Sequence, residues 1–270
     1  GFWSAWFLAA SVGYFLVGRY LVLDMPFTFF FAAGLLCFLE GFEGRNRGLL
    51  AAAYVLLGLA TLVKGVIAGV FPVMIVVIYL TWTRQWGRWK ETGMLWGIPL
   101  SLAVIAPWFI LICLRNPGFF EFFFVHEHLQ RFVSHAAGRP GPFYYFFGIG
   151  MLFFFPWSLF VFFIGERLCS LRAPASAEDR KRLFLGIWMM VIFLFFTVSR
   201  SKLPPYILPI LPPLAILTGA WVKELFVRQD NRFSKILPAL FGSAFAVIFV
   251  GGFVLTVVLA LTKMPEKIWI

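Results

Sequence analysis

The sequence predicts an all-α, polytopic helical membrane protein with about nine transmembrane helices. Hydrophobic residues make up 61% of the 270 positions and charged residues only 13%, which leaves too little polar surface to coat a soluble globule. Aromatic residues reach 20%, as suits contact with lipid and with the membrane–water interface. Cys37, Cys113 and Cys169 lie far apart, without His or Cys partners at metal-ligand spacing. We therefore expect neither a disulfide framework nor a zinc site.

Each apolar run can be tested by length, because a helix crosses a hydrocarbon core of about 30 Å in roughly 20 residues. Nine runs pass, at residues 2–18, 26–42, 49–63, 66–82, 94–114, 145–165, 183–198, 206–222 and 236–262. The stretch from Leu49 to Trp82 is too long for one crossing, and its only charge is Lys64, followed by Gly65. This stretch predicts a helical hairpin that turns at Lys64–Gly65.

Cations divide unequally between alternate loops. Of the 23 Lys and Arg residues, 14 fall in segments 43–48, 84–93, 166–182 and 223–235. Because cytoplasmic loops carry an excess of Lys and Arg, we predict that these loops are cytoplasmic. The segments around Asp24, Lys64, 115–144 and 199–205 then lie outside. The net charge of +11 reflects this orientation, so nucleic acid is not an expected partner.

The longest outer segment predicts an interfacial amphipathic helix and loop over residues 116–144. In "NPGFFEFFFVHEHLQRFVSH", residues 116–135, four polar side chains fall on one side at helical spacing and phenylalanines supply an apolar side. The polar residues are Glu127, His128, Arg131 and His135. A plain anchoring helix with a Glu127–Arg131 pair is the simpler interpretation. We expect this segment to belong to one transmembrane domain that covers residues 1–270.

Further cations lie in short outer turns beside the apolar runs. "SRSKLPPYILP", residues 199–209, puts Arg200 and Lys202 before three prolines, and Lys64 occupies its own tight turn. Clustered cations suit a phosphate or pyrophosphate held where acyl tails enter the membrane. The alternative is that these side chains reach lipid headgroups along the surface.

Asp24 is the candidate acid on the same side. In "RYLVLDMPFTFF" it stands two residues before Pro26, at the mouth of the second apolar run. A carboxylate at the membrane surface can take a proton from an acceptor hydroxyl or hold an acceptor in place. The alternative is an N-terminal helix cap that accepts backbone N–H bonds.

Four motifs together resemble one enzyme family. "LVLDMPFTFF", "GLATLVKG", "FFFVHEHLQRF" followed by "PFYYF", and "SKLPPYILPILPPLAIL" resemble the membrane half of bacterial aminoarabinose transferases. These are type C glycosyltransferases related to the protein O-mannosyltransferases. The resemblance implies a multi-pass enzyme of the bacterial inner membrane with its active site facing the periplasm. Such an enzyme is a hexosyl- or pentosyltransferase that takes a sugar from undecaprenyl phosphate and passes it to an acceptor such as lipid A. It uses no nucleotide, and its need for a divalent metal ion is left open.

The resemblance also implies roles for individual residues. Asp24 matches an acidic position near the acceptor. Arg131 and Tyr206 match residues that contact the lipid-borne phosphate, with Lys64, Lys202 and Arg200 as neighbours. Glu127, His128 and His135 are candidates to assist. The family's first outer loop, which carries its principal acidic motif, has no counterpart here, so we expect a fragment that lacks N-terminal spans and is inactive by itself.

Three other functions remain open on the residues alone. These are a lipid-linked sugar flippase or transporter, a protein O-mannosyltransferase, and a non-catalytic assembly subunit. Transporters place polar residues near the midplane on broken helices, whereas the charges here lie at the rims of the apolar runs. An assembly subunit leaves Asp24 and Arg131 unexplained, so the sequence favours an enzyme.

Overall fold

The computed structural model describes residues 1–20, 22–119, 141–171, 174, 176–199 and 201–228, together with positions 242, 250 and 254. Regular structure in these residues is helical. The α-helices are α1 (Phe2–Ala9), α2 (Val12–Val17), α3 (Asp24–Glu43), α4 (Arg47–Lys64), α5 (Ile67–Trp82), α6 (Met94–Arg115), α7 (Tyr145–Phe154), α8 (Phe160–Ser170), α9 (Ala177–Val198) and α10 (Leu211–Arg228). Short 3-10 helices cover Trp86–Thr92, Trp157–Leu159 and Pro204–Ile210.

Five stretches within the described residues are long and apolar enough to cross a membrane. They are Asp24–Glu43, Arg47–Lys64, Trp86–Arg115, Ala177–Val198 and Pro204–Leu225. Two shorter apolar helices, Ile67–Trp82 and Tyr145–Phe154, accompany them. The predicted polytopic helical class is therefore confirmed. The run at 236–262 and most of the interfacial segment 116–144 lie outside the described residues.

The predicted hairpin turns where expected. Helix α4 ends at Lys64 and α5 begins at Ile67. Gly65 makes the turn with φ 78° and ψ −156°, a conformation essentially closed to residues with a Cβ. At the other end of α4, the Asn46 side chain accepts a hydrogen bond from the amide of Leu49 at 3.1 Å and caps the helix.

Two predicted spans are not single helices. The run 2–18 divides into α1 and α2 at Ser11, which is extended at φ −75° and ψ 134° and whose hydroxyl donates to the Leu8 carbonyl at 2.7 Å. The run 145–165 divides into α7, a 3-10 turn and α8 around Pro156. A proline disfavours helical backbone in the residue before it, and Phe155 has ψ 139°. One continuous crossing was the wrong prediction for both runs.

An aromatic core joins α3, α5 and α9. Phe31 meets Phe71 and Trp188 edge to face, with ring centroids 6.2 and 5.9 Å apart. Phe71 also contacts Phe196 at 5.7 Å. Such edge-to-face pairs are favoured by the ring quadrupoles in addition to the area they bury. This core brings the start of α3 and the end of α9 towards the same end of the bundle.

A buried ion cluster closes the opposite end. The Glu43 carboxylate, only 5% exposed, accepts from the Tyr79 hydroxyl at 2.7 Å and from two guanidinium nitrogens of Arg180 at 2.9 and 3.1 Å. Arg88 lies 4.0 Å away. These contacts tie α3, α5 and α9 together at what we call the Glu43 end.

Replacing Gly65 with Ala should destabilise the protein, because a Cβ at φ 78° costs on the order of 1–3 kcal/mol. Thermal unfolding in detergent measures the effect as a lower midpoint. Gly69→Ala is the control: Gly69 is an exposed position in α5, and a Cβ there meets no atom within 4 Å. An unchanged midpoint for Gly65→Ala would contradict the strained-turn interpretation.

Candidate functional site

An ion pair between Asp24 and Lys64 forms the centre of the site. The Lys64 ammonium donates to Asp24 Oδ1, and the two side chains are only 17% and 19% exposed. Asp24 is the first residue of α3 and Lys64 the last of α4. Because these two helices form an antiparallel hairpin, its geometry brings the two residues together.

The alternative role of Asp24 as a helix cap is wrong. Helix α3 has Leu23 at its N-cap position and no side-chain capping hydrogen bond. The Asp24 backbone carbonyl accepts from the Thr28 hydroxyl at 2.7 Å, and its carboxylate is paired with Lys64. The carboxylate is thus directed at a cation instead of at the helix's own amides.

Aromatic rings surround the Lys64 ammonium. It lies 5.0 Å from the ring centroid of Phe27 and 5.2 Å from that of Tyr206. Both distances are within the range in which a ring face attracts a cation. Within the described ranges, the ammonium has one anionic partner and two ring faces, an arrangement that stabilises a charge in apolar surroundings.

Tyr206 reaches this pair from a proline-rich 3-10 helix. Pro204 and Pro205 occupy the first positions of the segment Pro204–Ile210, where their missing N–H groups cost no internal hydrogen bond. The Tyr206 ring stacks on Phe196 of α9 at 5.0 Å. The structure thus brings Asp24, Lys64 and Tyr206 together at what we call the Lys64 end.

Lys202 contacts the backbone at the end of α9. Its ammonium donates to the carbonyls of Thr197 at 2.8 Å, Ser199 at 3.2 Å and Phe196 at 3.5 Å, and the residue is 8% exposed. It lies 5.3 Å from the ring centroid of Phe146. Burial lowers the pKa of Lys202 below its usual range. Its predicted contact with a donor phosphate stays a prediction.

Sequence comparison shows that the chain is similar to known transferases. Residues 1–129 match the model of the dolichyl-phosphate-mannose-protein mannosyltransferase family. Undecaprenyl phosphate-alpha-4-amino-4-deoxy-L-arabinose arabinosyl transferases are similar over more of the chain. The relative from Aeromonas salmonicida is 35% identical over 84% of this chain and 42% of its own length. The second transferase from Pseudomonas fluorescens is 32% identical over 79% of this chain and 38% of its own.

Solved structures agree with these relatives. ArnT from Cupriavidus metallidurans bound to undecaprenyl phosphate superimposes with a TM-score of 0.73 at 32% identity, covering 87% of this chain and 44% of ArnT. The apo state gives a TM-score of 0.69 at 30% identity. Over most of its own length, this chain is similar to the aminoarabinose transferases. It spans about two fifths of the length of the family members it matches, 38% of the Pseudomonas fluorescens relative.

Five predicted site residues lie outside the described residues. They are Arg131, Arg200, Glu127, His128 and His135, and their roles stay predictions. Among the described residues, no group of three or more His, Cys, Asp or Glu side chains could hold a metal ion. Of the predicted site residues within the described ranges, the structure therefore brings Asp24, Lys64 and Tyr206 together, and Lys202 contacts the Phe196 carbonyl.

The direct contact between Asp24 and Lys64 is the feature that sequence reasoning missed. The two residues are 40 positions apart, and each was assigned a separate role. The signal was available, since an antiparallel hairpin places the start of its first helix beside the end of its second. The contacts of Phe27 with Lys64 and of Phe196 with Tyr206 could not be predicted in this way. The chain contains too many phenylalanines for these two to be singled out.

The Asp24–Lys64 pair should show strong energetic coupling. Removing one partner leaves the other charge in a largely apolar site, so a double-mutant cycle of Asp24→Asn and Lys64→Met should give a coupling of about 1–3 kcal/mol. Chemical unfolding in detergent measures it. The matched control is the Glu40–Lys181 pair, which also joins α3 to another helix but is 54% and 30% exposed; its coupling should stay below about 1 kcal/mol. Equal coupling in the two cycles would contradict this interpretation.

Proposed function

We propose that the protein is a glycosyltransferase that moves a monosaccharide from an undecaprenyl phosphate donor to a periplasmic acceptor, lipid A in the first instance. The observation that carries the proposal is the Asp24–Lys64 pair beside Tyr206, at one end of a helical bundle that resembles ArnT bound to undecaprenyl phosphate. We place this Lys64 end at the periplasmic surface of the bacterial inner membrane. The excess of cations in the loops at the other end supports that orientation.

Lys64 would hold the donor phosphate. The acceptor oxygen attacks the anomeric carbon of the sugar, the bond from that carbon to the phosphate oxygen breaks, and the phosphate leaves with the electron pair. The leaving phosphate gains negative charge, which a nearby ammonium in apolar surroundings stabilises more than water would. Tyr206, whose ring lies beside Lys64, is positioned to direct its hydroxyl at the same phosphate.

Asp24 would act on the acceptor. Its carboxylate is paired with Lys64 in this structure, so an arriving phosphate competes with Asp24 for the same ammonium. As Lys64 turns to the phosphate, the Asp24 carboxylate becomes available to orient the acceptor or to take its proton. Donor binding thereby prepares the acceptor side of the site.

Other residues have roles that are proposed from the sequence. Arg131 and Arg200 would add positive charge near the phosphate. Glu127, His128 and His135 are candidates to assist proton transfer. Neither a nucleotide nor a nucleic acid is a partner in this scheme, and the surrounding membrane lipids solvate the polyprenyl tail.

A protein acceptor is the second candidate. It is favoured by the match of residues 1–129 to the dolichyl-phosphate-mannose-protein mannosyltransferase model. The relatives that are similar over most of the chain are arabinosyl transferases, so lipid A is the first acceptor to test.

A transfer assay tests the function directly. Membranes that contain the full-length protein should move radiolabel from undecaprenyl phosphate aminoarabinose to lipid A. Asp24→Asn should lower kcat by about 100-fold or more, because general acid–base groups contribute 10²–10⁴-fold, while the KM for the donor should not rise, because the phosphate no longer competes with Asp24 for Lys64. Glu40→Gln is the matched control, since Glu40 lies near the other end of the same helix and should leave turnover unchanged.

Other outcomes of this assay would overturn parts of the proposal. Wild-type turnover in Asp24→Asn would remove Asp24 from the chemistry. Label that appears in protein instead of lipid A would favour the second candidate. Donor that crosses the membrane without any transfer would favour a flippase.

A further inference from the structure

Lys202 caps the end of α9. The last carbonyls of an α-helix have no partner within the helix, and here those of Phe196 and Thr197 accept from the Lys202 ammonium. The carbonyl of Ser199, just past the helix, accepts from it as well. A cation at this position also complements the negative end of the helix dipole.

The ammonium of Lys202 has no donor to spare in this arrangement. A lysine ammonium carries three N–H groups, and three carbonyl oxygens lie within 3.5 Å of it. The side chain is enclosed: a Cβ added at Gly141 would lie 2.8 Å from Lys202 Cδ, and the ring of Phe146 is close by. A donor phosphate would have to displace these carbonyls to reach it.

The cap is connected to the Lys64 site through Phe196. This residue gives one carbonyl to Lys202 and presents its ring to Tyr206 at 5.0 Å. The chain that follows the cap, from Ser199 to Leu203, leads directly into the 3-10 helix of Tyr206, whose amide donates to the Leu203 carbonyl at 3.1 Å. Lys202 therefore lies between the end of α9 and the start of that 3-10 helix, and its hydrogen bonds to α9 add to the packing of Phe196 on Tyr206.

We propose that Lys202 is a positioning residue that closes the end of α9 and thereby holds Tyr206 beside Lys64, without contacting the donor phosphate. This inference deepens the proposed function and rests on it for its effect on activity. Its structural part, that Lys202 sets the position of Tyr206, does not depend on which sugar or acceptor is used.

Fluorine NMR tests the structural part in the absence of any donor. The protein is labelled with fluorotyrosine at its 7 tyrosines, and Tyr206→Phe identifies the Tyr206 resonance. Lys202→Met should shift or broaden that resonance and leave Tyr79, at the Glu43 end, unchanged. Lys223→Met, which removes an exposed lysine from α10, should alter neither. A wild-type Tyr206 resonance in Lys202→Met would overturn the proposal.

Conservative variants separate positioning from direct phosphate binding. Lys202→Arg keeps the charge and suits phosphate, but we expect its planar guanidinium to direct its N–H groups differently from the compact ammonium among the three carbonyls and the Phe146 ring. We expect it to be as defective as Lys202→Met, with kcat/KM for the donor lowered about 10- to 100-fold through misplacement of Tyr206. Wild-type activity in Lys202→Arg would show that charge alone is needed, and would overturn the proposal.

A double variant gives an independent measure. If Lys202 acts through Tyr206, the effects of Lys202→Met and Tyr206→Phe are not additive, since the two residues act as a unit. The double variant should then have a kcat/KM for the donor within about twofold of that of the less active single variant. Losses that multiply would indicate that Lys202 binds the phosphate by itself. Should Lys202→Met fail to fold, Gly141→Ala displaces the lysine chain without removing its charge and should shift the same Tyr206 resonance.

The two levels of proposal fail in different ways. If no variant and no wild-type protein transfers sugar, but Lys202→Met still shifts the Tyr206 resonance, the proposed function is wrong and the positioning role stands. If transfer occurs and the Tyr206 resonance is unchanged in Lys202→Met, the positioning role is wrong and the function stands.

Discussion

The need to compensate one buried cation organises the Lys64 end of the molecule. A lysine in an apolar helix costs about 2.5–3.5 kcal/mol unless it reaches water or finds a partner. The turn at Gly65 leaves Lys64 little freedom to move away from the bundle. The charge is instead balanced by Asp24 and by the rings of Phe27 and Tyr206. The start of α3, the end of α4 and the 3-10 helix are thus brought to one place.

The two ends of the bundle handle charge differently. At the Glu43 end, each carboxylate has two partners: Glu43 accepts from Tyr79 and Arg180, and Glu224 pairs with both Arg167 and Arg182. At the Lys64 end, one ammonium has one carboxylate, and a second ammonium is balanced by carbonyl dipoles alone among the described residues. The first arrangement suits structural contacts between helices, whereas the second leaves cations that an anionic ligand can bind.

Much of the fold and part of the site can be predicted from the sequence, for identifiable reasons. The hairpin at Lys64–Gly65 follows from length, and the membrane class from composition, since both depend on counting residues against a fixed hydrocarbon thickness. The helix breaks at Ser11 and Pro156 were not predicted, because the sequence around each of them is predominantly apolar. Asp24, Lys64 and Tyr206 were named in advance, and the hairpin of α3 and α4 accounts for the Asp24–Lys64 contact. The contact of Tyr206 with Lys64 depends on packing between distant segments, which one sequence does not encode locally.

The proline-rich segment after Lys202 has a further consequence. Five of the ten residues from Pro204 to Pro213 are proline, so half of the amide hydrogens that this stretch would otherwise carry do not exist. Their rings also restrict the backbone before the chain folds, which lowers the entropy lost on ordering. Tyr206 is therefore presented from a stretch that is partly pre-organised in the unfolded ensemble, and hydrogen–deuterium exchange has few reporters there.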